Sequence, residues 1–350
     1  MILADLPDLL RCSNSGISAC LSEYRYSLNG SGVGQFRRCR TDKVFMTIPT
    51  EPIGSIPRPP RLIQAIAASG DHADPKLDPL YEEAVRDTIA CFEATGSPVI
   101  TDGEQKKYHN FWTYCVDGLP NTSPDGFKIP FAAGHIRHMP RLTSGPFRYK
   151  MSADRFLDVA MRYAHVPVKQ AVISPSALSP MYPAEGLHGY TRDEFIDDLL
   201  REHKAEVRAC LQKGAHKVQI DFTEGRLAIK LDPSGLLLNS FIDLNNLALS
   251  RFSVEERKRI GVHTCPGGDR DSTHGAEIDY AELLPSLFEL QAGNFYIALA
   301  GEQDRAHVLR IIRKHLKPDQ RIFVGVVAPI WRRAWSAWRP VPRRTIGRAS

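Results

Sequence analysis

RIGVHTCPGGD, residues 259–269, decides how the chain is read. It opens as a short Ile- and Val-containing run, reaches His263 and Cys265, and breaks at a Pro-Gly-Gly turn. Short β-branched runs bounded by glycine and proline read as buried strands. Residues i and i+2 of a strand point to the same face. His263 and Cys265 therefore leave this strand together, at its C-terminal end. Thiolate and imidazole are preferred zinc ligands, and zinc takes about four ligands in all. Alone the pair would sooner be a buried small thiol beside a hydrogen-bonded histidine; its place at a strand end before PGGD brings the two readings level.

The same pattern repeats outward from this run. VFMTI (44–48), SPVITDGE (97–104), KQAVISP (169–175), HKVQIDF (216–222), NFYIALAGE (294–302) and RIFVGVVAPI (321–330) read as strands. Helical spacing fills the intervals: 78–95, closed by Gly96; 153–164; 192–213, ending near Gly214; 241–252; 279–290; and 304–316. A Pro- and Gly-rich stretch from 118 to 150 reads as an excursion from this frame. Strand–helix alternation implies a parallel sheet covered by helices. No GxGxxG opens the first unit, so the α/β chain reads as a (β/α)8 TIM-type barrel rather than an open dinucleotide-binding sheet. Such a barrel carries its chemistry at the C-terminal ends of its strands.

Composition sets the bounds. A chain of 350 residues fits one large barrel, and 43% hydrophobic with 24% charged residues is ordinary for a soluble globular protein. No run of eighteen apolar residues occurs, so no membrane span is expected. The opening MILADLPDLLRC carries Asp5 and Asp8 and no basic leader, so no signal peptide is expected. Seven scattered cysteines, an odd number, argue against a disulfide framework and for a reducing, cytoplasmic setting. The net charge of +5 arises at the ends: residues 331–350 hold six Arg and no acid, and residues 1–43 hold six basic and four acidic residues. The middle is slightly acidic, which gives no basis for a nucleic-acid surface. The chain thus divides into a poorly structured extension (1–43), the barrel (44–330) and a basic Trp/Arg-rich tail expected to be disordered (331–350).

Polar residues interrupt the strand runs at one edge. Ser55 follows the first run; Asp102 and Glu104 end the second; Asp221 ends HKVQID; His263 and Cys265 end IGVHTC; Glu302 ends FYIALAGE. Five strands each deliver a polar or ligating group where a barrel places its site. Taken singly, a strand-end acid also serves to cap the next helix or to pair with an arginine.

TEPIGSIPRP, ITDGE, VQIDFTEGR, GVHTCPGGD and NFYIALAGE, in that order, resemble the barrel motifs of the cobalamin-independent methionine synthases. They are closer still to the short single-barrel relatives of that family's catalytic domain, in a superfamily that includes uroporphyrinogen decarboxylase-like barrels. The resemblance spans residues 44–330. It implies zinc-dependent methyl or alkyl transfer to a small-molecule thiol such as homocysteine, from a folate or corrinoid donor, with no nucleic-acid or membrane partner. His263 and Cys265 match the family's zinc ligands and Glu302 falls near a third. Ser55, Glu104 and Asp221 match the residues that hold the acceptor's amino and carboxylate groups, as carboxylates suit an ammonium and a serine hydroxyl a carboxylate.

The chain departs from the family at two places. Asp221 is followed by Phe222 and Thr223 where methionine synthases have Glu-Pro. No cysteine follows Cys265, whereas the family draws its last ligand from a downstream Asp-Cys-Gly; after Ile330 the text changes to a tail that looks out of frame. The last βα unit is therefore expected to be incomplete. Water, the substrate thiol or His274 would fill the fourth ligand position. Two other readings stand beside this one: a metal-free decarboxylase or lyase on the same barrel, with Arg58 and Arg226 at its mouth, and a non-catalytic truncated homologue.

Overall fold

Five short runs of β-branched and aromatic residues form the sheet: β1 (Lys169–Ile173), β2 (Lys217–Asp221), β3 (Ile260–Thr264), β4 (Asn294–Ala298) and β5 (Arg321–Gly325). The computed structural model describes residues 48–107, 113–269 and 272–327, together with the strands Ile2–Ala4, Tyr24–Leu28 and Gly34–Arg38. The five strands are parallel and lie side by side in chain order. β1 and β2 are buried at every residue, as a sheet covered on both faces requires. Chain-order winding is that of a barrel; a doubly wound sheet reverses its strand order midway.

The outer edge of β1 is extended by one parallel bridge, Ile100 to Val168, in which the Ile100 amide donates to Pro167 and the Lys169 amide to Ile100. The strand expected over 97–104 shrinks to this bridge because the chain turns at once through Thr101–Glu104. Of the strand expected over 44–48, residues 44–47 lie outside the described residues. At the other edge, β5 pairs antiparallel with the backbone of Ile2–Ala4. Among the described residues the sheet thus counts five parallel strands and one bridge, where a complete (β/α)8 barrel needs eight.

Among the described residues, eight helices cover the sheet: α1 (Pro60–Ser69), α2 (Asp78–Ala94), α3 (Asp154–Tyr163), α4 (Arg192–Gln212), α5 (Gly225–Leu231), α6 (Leu236–Leu249), α7 (Tyr280–Leu287) and α8 (Arg305–His315); all but α1 and α5 fall in the intervals expected. The start of α4 is fixed by a capping box between Thr191 and Glu194, and helical spacing then buries Phe195, Leu199, Val207 and Cys210. Asp304 caps α8, whose last turn carries Arg313, Lys314 and His315 at the negative end of the helix dipole. No helix among the described residues is long and apolar enough to cross a membrane.

The excursion folds as two small hairpins, Lys128–Pro130 with Ile136–His138 and Thr122–Ser123 with Arg141–Leu142. It reaches the loop after β3: the Ala132 amide donates to Thr273, and Arg137 binds Asp269 through two hydrogen bonds of 2.7 and 3.1 Å. At the opposite end of the sheet, where the strands begin, Glu51 is buried among charges. It accepts from Lys217 Nζ (2.5 Å) and the Tyr296 hydroxyl (2.9 Å), and Lys169 Nζ lies 3.6 Å away. Burial works against its ionisation, but the two lysines hold its carboxyl below the ordinary value. Lys169 sits 3.9 Å over the Tyr296 ring, and burial brings it down to about 8. This charged plug closes the strand-start end and leaves the strand-finish end for the site.

Candidate functional site

Two polar arrangements meet at the strand ends. The first is built on the turn after Ile100. The Thr101 hydroxyl accepts from the Gly103 amide (3.2 Å), and Asp102 Oδ1 accepts from the Glu104 amide (2.9 Å). These bonds hold Glu104 at φ +57°, a left-handed conformation that costs a non-glycine residue on the order of 1 kcal/mol. The strain aims a buried carboxylate inward. Ser55 Oγ donates to it at 2.6 Å, and Lys107 Nζ stands 3.4 Å from its other oxygen. Gly54 makes room for this approach, since a Cβ there would lie 2.8 Å from Glu104 Oε1. Arg58 fastens the turn by donating to the carbonyls of Gln105 (3.0 Å) and Lys107 (2.6 Å). Burial raises the Asp102 carboxyl to about 6.

The second arrangement comes from β2 and β3. Asp221 and His263 are partners in the parallel register, so their side chains stand abreast. His263 Nδ1 lies 3.3 Å from Asp221 Oδ1, which also accepts from Gln219 Nε2 at 2.8 Å. Cys265 accepts from the Gly267 amide at 3.4 Å. Burial alone would raise its thiol, but the charge of His263 and a hydrogen bond with it bring it below the ordinary value. The converse holds for His263: burial opposes its protonation, and Cys265 and Asp221 together raise it. The result is a partly buried imidazole–thiol pair in which each group favours the charged form of the other.

Lys107 joins the two arrangements. Burial opposes its charge, yet the carboxylates of Glu104 and Asp221 raise its pKa above the ordinary lysine value. Its Nζ is buried and makes no hydrogen bond among the described residues. Sequence reading passed over Lys107; its only signal was a position three residues after Glu104.

Glu302 is placed differently. Its carboxylate accepts from Arg226 Nη2 at 2.7 Å, and the fully buried Arg226 stacks 3.6 Å over the Tyr280 ring. Burial raises the Glu302 carboxyl, with Arg226 opposing. His274 lies in an apolar cavity against the edge of Phe131. Among the described residues no three His, Cys, Asp or Glu side chains come together to hold a metal. The donor chemistry of His263 and Cys265 fits zinc: Asp221 takes Nδ1, which leaves Nε2 as the imidazole's metal-binding nitrogen, and the thiol is biased toward thiolate. The fit extends to these two donors; Glu302 joins them only on leaving Arg226. Of the arginines a decarboxylase-type mouth would use, Arg58 is bound to backbone carbonyls and Arg226 to Glu302.

Solved structures share the fold. One is a B12-independent methionine synthase from Shewanella sp. W3-18-1 in complex with selenomethionine, 17% identical, with a TM-score of 0.53 and 79% of each chain covered. Another, described as a candidate vitamin-B12 independent methionine synthase from Listeria monocytogenes, is 19% identical, with a TM-score of 0.57, covering 78% of this chain and 77% of that one. No family model matches the chain. No curated protein matches it either. At these identities the likeness is one of fold.

Proposed function

We propose that the chain transfers a methyl or alkyl group to a small-molecule thiol, homocysteine being the type, at the cluster formed by Ser55, Glu104, Lys107, Asp221, His263 and Cys265. The catalytic unit is the segment 44–330, taken as a (β/α)8-type barrel with its last βα unit incomplete. The observation that carries the reading is the junction of an imidazole–thiol pair with two buried carboxylates and a lysine at the strand ends. The methionine synthase fold of the similar structures supports it.

Each residue has a part that its surroundings suit. His263 and Cys265 are the two zinc donors, and Glu302 is the third if it exchanges Arg226 for the metal. Zinc bound there supplies a Lewis acid that keeps a substrate thiol deprotonated at neutral pH. Asp221 fixes the His263 ring and, with Glu104, presents negative charge to the acceptor's ammonium group. Lys107 offers the acceptor's carboxylate a full charge in a dry site, and Ser55 offers a hydroxyl once it turns from Glu104. The donor of the methyl group is a folate or corrinoid.

A metal-free decarboxylase or lyase is the second reading. It is favoured by Arg226, whose Nε and Nη1 are buried without partners and suit a substrate carboxylate. Zinc per chain, measured by elemental mass spectrometry on the protein and on Cys265→Ala, separates the two. Near-stoichiometric zinc that vanishes in the variant, with methylation of homocysteine, is the expected result. No zinc in either protein and no thiol product would overturn the transferase reading in favour of the lyase or of a non-catalytic homologue.

A further inference from the structure

The loop after β3 carries Cys265 at its foot and is itself a small hairpin, with Gly268–Asp269 paired antiparallel to Ser272–Thr273. The foot is tied within the loop. The Gly267 amide donates to Cys265 Sγ (3.4 Å), the His274 amide to the Gly267 carbonyl (3.2 Å) and the Gly275 amide to the Pro266 carbonyl (3.1 Å). Gly267 stands at φ +67°, and a Cβ there would fall 1.8 Å from the His274 ring, so the foot closes this tightly only with glycine.

The tip is tied from outside, by the hairpin excursion. Arg137 donates through Nε and Nη2 to the two oxygens of Asp269 (2.7 and 3.1 Å), and His135 Nε2 lies 2.8 Å from Asp269 Oδ2. The Ala133 amide donates to Ser272 Oγ and the Ala132 amide to the Thr273 carbonyl, each at 2.9 Å. Phe131 stacks on His135 with ring centroids 4.6 Å apart and meets His274 edge-on at 5.3 Å, which carries the grip from the tip to the foot. A two-pronged arginine–carboxylate pair fixes orientation as well as distance. The geometry matters because a Pro-Gly-Gly segment has much backbone freedom to lose. A loop held beforehand spares a ligand that cost when it binds.

We infer that Arg137, aided by His135, is a positioning residue for Cys265: by clamping Asp269 it holds the loop so that the thiol and His263 face one metal ion. This gives the excursion a part in the site that its own strand pairing does not require. The inference rests on the reading of Cys265 as a zinc donor.

Two measurements on the full chain test it: zinc affinity by competition with a chromophoric chelator, and amide hydrogen exchange of the metal-free protein by mass spectrometry. Arg137→Met is expected to weaken zinc binding about tenfold, the low end for a group that acts from behind a ligand. Arg137→Lys is expected to recover part of the loss, since it restores the charge without the fork. Exchange over 265–269 is expected to quicken about tenfold in Arg137→Met while α4 stays unchanged, a local loosening that a general loss of stability would not produce. Should Arg137→Met fail to fold, Asp269→Asn carries the same expectations. Unaltered zinc affinity or unaltered loop exchange in a folded variant would overturn the positioning role. A parent chain that binds no zinc would defeat the zinc reading instead, and the loop exchange alone would then decide whether the clamp exists.

Discussion

Asp221 Oδ1 lies 3.3 Å from His263 Nδ1, at paired positions of adjacent parallel strands. A carboxylate on one ring nitrogen sets the orientation and tautomer of the other, which is how metal-binding histidines are usually held. Asp221→Asn is therefore expected to weaken zinc binding about 10- to 100-fold, read by competition against a chromophoric chelator. If zinc affinity is unchanged while the acceptor KM rises, Asp221 serves the acceptor alone.

Cys265 should be the reactive thiol among the described cysteines that are not fully exposed. The charge of His263 lowers its pKa against burial, whereas burial pushes the Cys115 and Cys210 thiols well above the ordinary value. Iodoacetamide near neutral pH is expected to label Cys265 ahead of those two, and added zinc to slow the labelling. Peptide mass spectrometry reads both. Labelling that zinc leaves untouched would remove Cys265 from the ligand set.

The legible part of this molecule was what local spacing specifies. β2 and β3 were readable from VQID and IGVHT because short apolar runs ended by polar residues occur where strands meet a site, and the i, i+2 rule put His263 and Cys265 on one side. The helix Pro60–Ser69 was not readable, since PRPPRL looks like a turn until Pro60 is seen at the first helical position, where proline is tolerated. The partners of Glu302 and Lys107 were beyond reach for another reason. Arg226 is 76 residues from Glu302, and Lys107 meets Asp221 across more than a hundred residues. Such pairings are products of packing, and no spacing rule in one sequence encodes them.

Lys107 bridges the two halves of the site, so its removal should affect the acceptor as well as the fold. Lys107→Met takes away the ion-pair partner of Glu104 and one of the charges that hold Asp221 ionised, and breaking a buried ion pair costs roughly 3–5 kcal/mol. The acceptor KM is expected to rise about tenfold or more, with partial recovery in Lys107→Arg. Steady-state kinetics beside urea unfolding distinguishes the roles: a stability loss with an unaltered KM would make the lysine purely structural.

Glu206 should make the fold lose stability as pH rises toward neutrality. Its Oε1 accepts from the Tyr114 hydroxyl and the Ala153 amide, each at 2.8 Å, while Oε2 is buried without a partner. Burial lifts its carboxyl to about 7 from 4.5, outweighing those two hydrogen bonds. Between these values the folded chain keeps a proton that the unfolded chain has released. Its stabilising contribution is therefore complete below about pH 4.5 and is lost as pH rises through 7, a swing of roughly 3 kcal/mol. Glu206→Gln keeps the accepting oxygen and removes the titration. The drop in the unfolding free energy from urea titration between about pH 5 and pH 8 should be smaller in the variant than in the parent by an amount of that order. Equal drops in the two proteins would mean that Glu206 stays in one protonation state across the range.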